Sequence, residues 1–119
     1  MARARRSKVF LANRAIEDLE AIESYTVGKW GVVQAAKYLD AFDRFFRLVE
    51  AEPGILQPIP VVEKLLAHTV ESHIVVCTKW NDDVLVLTIV HASRDLVPHL
   101  DKLLPALKIE VEAMKKRLP

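Results

Sequence analysis

The stretch from His73 to His91 most constrains what this chain can fold into. Two runs, His73 to Trp80 and Val84 to His91, flank the polar triplet Asn81-Asp82-Asp83. Ile74, Val75, Val76 and Thr78 in the first run, and Val84, Val86, Thr88, Ile89 and Val90 in the second, are β-branched. Such side chains are crowded on a helix and fit a pleated surface, and a short Asn/Asp break between two such runs is a hairpin turn. In the second run apolar residues stand at both parities, Val84, Val86 and Val90 together with Leu85, Leu87 and Ile89. That strand must be covered on both faces, which makes it central to a sheet.

The rest of the chain has to supply strand neighbours and helices to lie on them. Ser7 to Leu11 reads as a short edge strand, with Val9 and Leu11 on one parity and Lys8 and Phe10 on the other. From Ala12 the period changes: Ala12, Ala15, Ile16, Leu19, Ile22 and Thr26 fall at helical spacing, opposite Arg14, Glu17, Asp18, Glu20 and Glu23. Asn13 is the expected N-cap, and Glu17 and Asp18 place negative charge near the positive end of the helix dipole. Val27-Gly28-Lys29-Trp30-Gly31 breaks this helix, the glycines permitting a reversal and Trp30 filling the corner. A second helix, about Val32 to Ala51, carries the stripe Val32, Ala35, Leu39, Phe42, Phe46 and Val49. Tyr38 and Phe45 widen the stripe, as core packing or a groove for a partner's helix would require. Glu52-Pro53-Gly54 ends the helix, an extended apolar loop runs through Pro58 and Pro60, and Lys64 to Val70 reads as a further strand that turns at Glu71-Ser72 into the hairpin.

This order predicts an α+β fold, β-α-α-β-β-β, with a helical hairpin on one face of a mostly antiparallel four-stranded sheet. An extra C-terminal helix follows, because Leu100, Leu104, Leu107, Val111, Met114 and Leu118 form a heptad seam and Lys115, Lys116 and Arg117 suit the negative end of its dipole. Pro105 is expected in its first turn. The seam is too short to hold a coiled coil alone. It is expected either to dock on the open face of the domain or to make a swapped contact, with self-association through residues 100–118. The domain layout is then a flexible basic arm at 1–7 containing Arg3, Arg5 and Arg6, a compact domain at 8–100, and a helical extension of the same domain at 101–119.

At 119 residues there is room for a single core. No apolar run approaches the roughly 20 residues that span a bilayer, and the basic first residues lack the apolar region of a signal peptide, so a cytoplasmic location and no membrane partner are expected. Cys77 is the only cysteine, which excludes an intrachain disulfide and a cysteine-rich zinc site. A formal net charge of +1 gives no global attraction to nucleic acid. Glycine-rich phosphate loops and His-Glu-x-x-His helices are absent, and neither a cofactor nor a metal is expected. Candidate chemistry rests on His68, His73, His91 and His99, all in the sheet half. His68 and His91 near strand ends could meet at the sheet rim, with Arg94 beside a phosphate. The structural alternative is that strand-end histidines pack and that Arg94-Asp95 locks a turn.

Three segments carry a family resemblance. They are Ala15-Ile16-Glu17-Asp18-Leu19-Glu20-Ala21-Ile22 with Tyr25-Thr26, then Trp30-Gly31 with Ala35-Ala36-Lys37-Tyr38-Leu39 and Glu52-Pro53, and finally His91-Ala92-Ser93-Arg94-Asp95-Leu96. Together, over Val9 to Leu100, they resemble the RelE/ParE superfamily of bacterial toxin-antitoxin toxins, and within it the ParE branch. Ala92 stands where glycine is frequent in that family. The resemblance implies a growth-inhibiting toxin that binds DNA gyrase and traps it on cleaved DNA, with no catalytic residues of its own, silenced by a ParD-like antitoxin. On that reading His91, Arg94 and Asp95 face the target, and Val9 and Leu11 on the edge strand with Leu39, Phe42 and Phe45 on the second helix face the antitoxin. The RelE branch implies a different activity, ribosome-dependent mRNA cleavage, for which His68, His91 and Arg94 are the catalytic candidates. A non-toxic binding module is the third possibility.

Overall fold

The computed structural model describes residues 7–118. Among them the chain forms β1 (Val9–Leu11), α1 (Asn13–Trp30), α2 (Val32–Ala51), a 3-10 turn at Pro53–Ile55, β2 (Gln57–Pro58), β3 (Leu66–Val70), β4 (His73–Trp80), β5 (Asp83–His91) and α3 (Leu96–Arg117). The strands make one sheet in the order β1-β5-β4-β3-β2. β1 runs parallel to β5, and the other three ladders are antiparallel. The expected α+β class and mostly antiparallel sheet hold, with a fifth strand added. That strand, β2, is two residues long and contains Pro58. It is too short to show an alternating pattern, and its proline has no N–H to donate, which confines it to an edge.

β5 is central, as its double parity requires. Val84, Leu85, Val86 and Leu87 are all but fully buried. One core, built from Ala15, Phe42, Phe45 and Val49 of the helical hairpin, packs on Val75, Cys77, Val84, Val86 and Ile89. The other packs Leu100, Leu107 and Met114 of α3 on Val76, Leu85 and Leu87, with Ile59, Val62 and Leu65 closing one side. A β-bulge explains how Val86 and Ile89 reach the same face. Cys77 faces Val86 while Val76 faces Thr88, so Leu87 is the extra residue and the strand changes phase there. Burial pushes the Cys77 thiol up to about 12, so it stays a neutral core side chain.

The C-terminal seam therefore docks on its own sheet. Leu100, Leu107 and Met114 are buried there, which removes them from the heptad pairing that self-association through 100–118 would need. The helix starts at Leu96, earlier than its apolar repeat, so Pro98 occupies the first turn and Pro105 lies inside the helix. Asp95 is extended and its carbonyl accepts from the His99 N–H at 3.2 Å.

Other local expectations also shift. The N-cap of α1 is Ala12, not Asn13, because the Ala12 N–H still donates to Val86 O (2.9 Å), continuing the β1 pairing up to the first turn. α1 continues through Gly28 to Trp30, and the reversal is made by Gly31 alone, whose φ of 90° suits a residue without a Cβ. Trp30 does not fill the corner and Val32 is not core: they are 64% and 71% exposed, because the hairpin tip extends beyond the sheet that would cover it. Asp83 pairs with Trp80 as part of β5, leaving Asn81-Asp82 as the turn, with Asn81 at φ 57°. Of the expected basic arm, residues 1–6 lie outside the described residues. Ser7 is buried, its N–H donating to Glu50 O at 3.1 Å.

Candidate functional site

The ends of β4 and β5 and the inner side of the helical hairpin enclose a cleft of about 880 Å³. Its floor is a chain of polar rings. The bulge brings His91 opposite His73, and the two imidazoles meet edge to face at 5.0 Å between centres. Tyr38, reaching down from α2, places its hydroxyl 2.7 Å from His73 Nδ1 and accepts from the Ser72 N–H at 3.1 Å. His91 Nδ1 accepts from the Ser93 N–H at 3.0 Å and lies 2.7 Å from Ser93 Oγ. A backbone donor on His91 Nδ1 places the proton of its neutral ring on Nε2, and a Tyr38 hydroxyl donating to His73 Nδ1 does the same there.

Asp18 braces this floor from α1. β1 pairs with β5 only as far as Val86, so the outer edge of β5 beyond it needs another acceptor. Asp18 Oδ2 accepts from the Ile89 N–H at 2.9 Å and from Thr88 Oγ1 at 2.6 Å. The expected dipole role is not what this carboxylate does: the first turn of α1 holds no acid.

Beyond the cleft floor, His91, Ala92, Ser93, Arg94 and Asp95 form an exposed polar lip between β5 and α3. It is pinned by its backbone, with Ala92 N–H donating to Ser72 O at 2.8 Å and Arg94 N–H to His91 O at 3.0 Å. The Arg94 guanidinium reaches His99 Nδ1 at 3.5 Å. His99 is held below its ordinary pKa by partial burial, then by the cations Arg94, Lys102 and Arg14, against a small opposing pull from Asp18. α3 leaves the lip open because it packs on the other face of the sheet.

The structure groups His91, Arg94 and Asp95 and sets His68 apart. His68 lies across from Val75 and stacks on Phe45 at 5.0 Å with 13° between the rings. The expected meeting of His68 and His91 does not occur, because the residue opposite His91 is His73. Of the expected antitoxin contacts, Val9, Leu11 and Leu39 are half-buried, whereas Phe42 and Phe45 are core residues, 1% and 5% exposed, and offer no surface to a partner. Among the described residues no group of three or more His, Cys, Asp and Glu is placed to hold a metal ion.

His73 carries a pH signature. Burial, then the nearby His91, lowers its pKa from the ordinary 6.5, while Asp18 pulls the other way. A depressed value means that the folded state favours the neutral ring. The associated stability is complete above about 6.5 and is lost as pH falls through the folded value. Denaturant midpoints are expected to decline as pH drops from about 6.5 toward 5. His99 contributes with the same sign, so the His73 share is the part of that slope removed by His73→Gln. An unchanged slope in that variant would show His73 to be uncoupled.

A helical hairpin lies against one face of this mixed sheet, and the His91 to Asp95 lip follows its central strand. The chain belongs to the family of ParE toxins of type II toxin-antitoxin systems, parDE, whose family model matches residues 9–96. It is 28% identical over 90 residues to Toxin ParE1 of Caulobacter vibrioides, covering 76% of this chain and 94% of that protein. A solved structure from the chromosomal ParDE system of P. aeruginosa superposes with a TM-score of 0.65 at 16% identity, covering 74% of this chain and 98% of that one, a likeness of fold. The family match ends at residue 96, where α3 begins.

Proposed function

We propose that this chain is a growth-arresting toxin that acts in the cytoplasm by binding DNA gyrase and holding it on cleaved DNA, and that a ParD-like antitoxin keeps it silent. The observation that carries the reading is the open lip: His91, Arg94 and Asp95 stay in solvent on a backbone fixed by Ser72 and His91, while α3 packs away from them. A rigid, polar, exposed segment on a packed scaffold is the kind of surface that another macromolecule grips. The antitoxin surface is then the side of β1 that no described strand pairs with, at Val9 and Leu11, with Leu39 on α2. Cleavage of ribosome-bound mRNA through His68, His91 and Arg94 has weaker support, since its two imidazoles are not neighbours.

The test is a gyrase reaction with purified protein. Supercoiling is expected to fall and cleaved DNA to accumulate, and Arg94→Ala is expected to require at least about tenfold more protein for the same effect. Supercoiling untouched at large molar excess would remove gyrase as the target. Cleavage of mRNA on ribosomes that disappears in His91→Ala would put the nuclease reading in its place.

A further inference from the structure

α3 packs on the sheet face opposite the helical hairpin, and a second cleft, of about 650 Å³, opens along its flank between the helix, β4, β5 and the turn at residues 63–65. Its floor is aliphatic. Leu87 and Leu107 are buried there, and Leu104 and Val111 half-buried. Small-molecule sites are clefts of this size, mostly apolar, with a few polar groups that fix orientation.

Four ammonium groups stand around that floor, those of Lys64, Lys79, Lys108 and Lys115, against two carboxylates, Glu63 and Glu112. One carboxylate is engaged within α3, Glu112 Oε1 lying 3.6 Å from Lys115 Nζ. The cations come from the turn before β3, from β4 and from α3, so only the folded chain brings them together. The turn side of the rim is fixed. Lys64 is held at φ 67°, uncommon for a residue with a Cβ, and its carbonyl accepts from Thr78 Oγ1 at 2.9 Å. Lysine stems can cover an apolar floor by themselves, but here the space between them stays open. Like charges gathered at one rim repel, and an anion that carries its own apolar body relieves that repulsion while covering the floor.

The lining also selects the class of ligand. Among the described residues that line the cleft none is aromatic, so a nucleic acid base has nothing to stack on. A partner helix, about 10 Å across, would fill this volume in roughly a turn and a half, too little contact for a protein interface. An aliphatic trough edged by ammonium groups remains.

We propose that this cleft binds an anionic amphiphile, an unbranched aliphatic chain ending in a carboxylate, which lies along Leu104 and Val111 with its head group on the lysines. The site is built with α3, beyond the residues that the family model matches, and it does not depend on what the lip recognises.

Octanoate is the probe, with 1-octanol as its neutral counterpart, hexanoate as a shorter homologue and acetate as the bare anion. Titration of the full chain, followed by 1H–15N chemical shifts, is expected to give saturable changes with octanoate confined to residues 63–65, 78–79 and 104–115. Hexanoate is expected to bind about tenfold more weakly, for the loss of two buried methylenes, octanol at least about tenfold more weakly, and acetate without saturation. Lys79→Met combined with Lys108→Met is expected to bring octanoate down to the level of octanol and leave octanol unchanged. Both side chains are exposed, and unchanged shifts elsewhere verify the fold. Equal binding of octanoate and octanol, an octanoate affinity unmoved by the double substitution, changes centred elsewhere or no saturable change would overturn the proposal. Equal binding of octanoate and acetate would also overturn it, leaving an adventitious ion only. So would sedimentation with phosphatidylglycerol vesicles that octanoate fails to compete, which would assign the lysines to a membrane surface.

Discussion

Leu107→Ala is expected to destabilise the protein by about 2–5 kcal/mol, because it opens a cavity where α3 meets the sheet. Leu107 is 1% exposed and packs in the core that contains Leu85, Leu87 and Val76. Ile109→Ala is the matched control. Ile109 sits two residues further along the same helix, 73% exposed, and its truncation should change stability by no more than about 0.5 kcal/mol. Urea titration of the pair separates a docked helix from one held loosely or exchanged with a second copy. Two equally mild variants would mean that α3 does not cover the sheet.

The second large effect is expected at Asp18. Its carboxylate serves a buried hydroxyl and a backbone N–H, at Thr88 and Ile89, on the stretch of β5 that β1 does not reach. Asp18→Ala leaves both donors without that acceptor, for a loss of about 2–4 kcal/mol, whereas Asp18→Asn keeps an acceptor oxygen and should recover part of it. Exposed Glu17, one residue earlier, provides the comparison. Equal effects at 17 and 18 would show that the carboxylate contributes nothing to the sheet edge. Because Asp18 also supports protonation of His73, Asp18→Ala should steepen the acid-side loss of stability described above.

The layering is legible in the sequence. β-branched runs, a helical stripe and a heptad seam are repeated signals, and each reports a face that must be buried. Hence the central position of β5, the helical hairpin and the terminal helix all follow from pattern. The site was less legible because it depends on a single-residue irregularity. A two-residue turn at Asn81-Asp82 would set Val90 opposite His73, and only the bulge at Leu87 brings His91 there instead. Nothing in the local composition marks that bulge, so the strand-end positions alone point to a pairing of His68 with His91. Asp18 was obscured in the same way. It lies on the polar side of α1 by periodicity, and its role arises from where a three-residue strand stops. Tyr38 and Phe45 were recognisable as additions to the stripe, but only packing distinguishes them. Phe45 is core, while Tyr38 sends its hydroxyl to His73.

The parallel pairing of β1 with β5 has a consequence for the order in which the molecule can assemble. Val9 to Leu11 must wait for Val84 to Val86, some 75 residues later, so the first strand has no strand neighbour until β5 has been made. Contacts of such long range are slow to close, since the intervening loop entropy is lost before they form. The helical hairpin can form early from local contacts, but the lip exists only once β5 has paired on both sides. A chain interrupted before β5 thus contains neither the complete sheet nor the His91 to Asp95 lip that follows it.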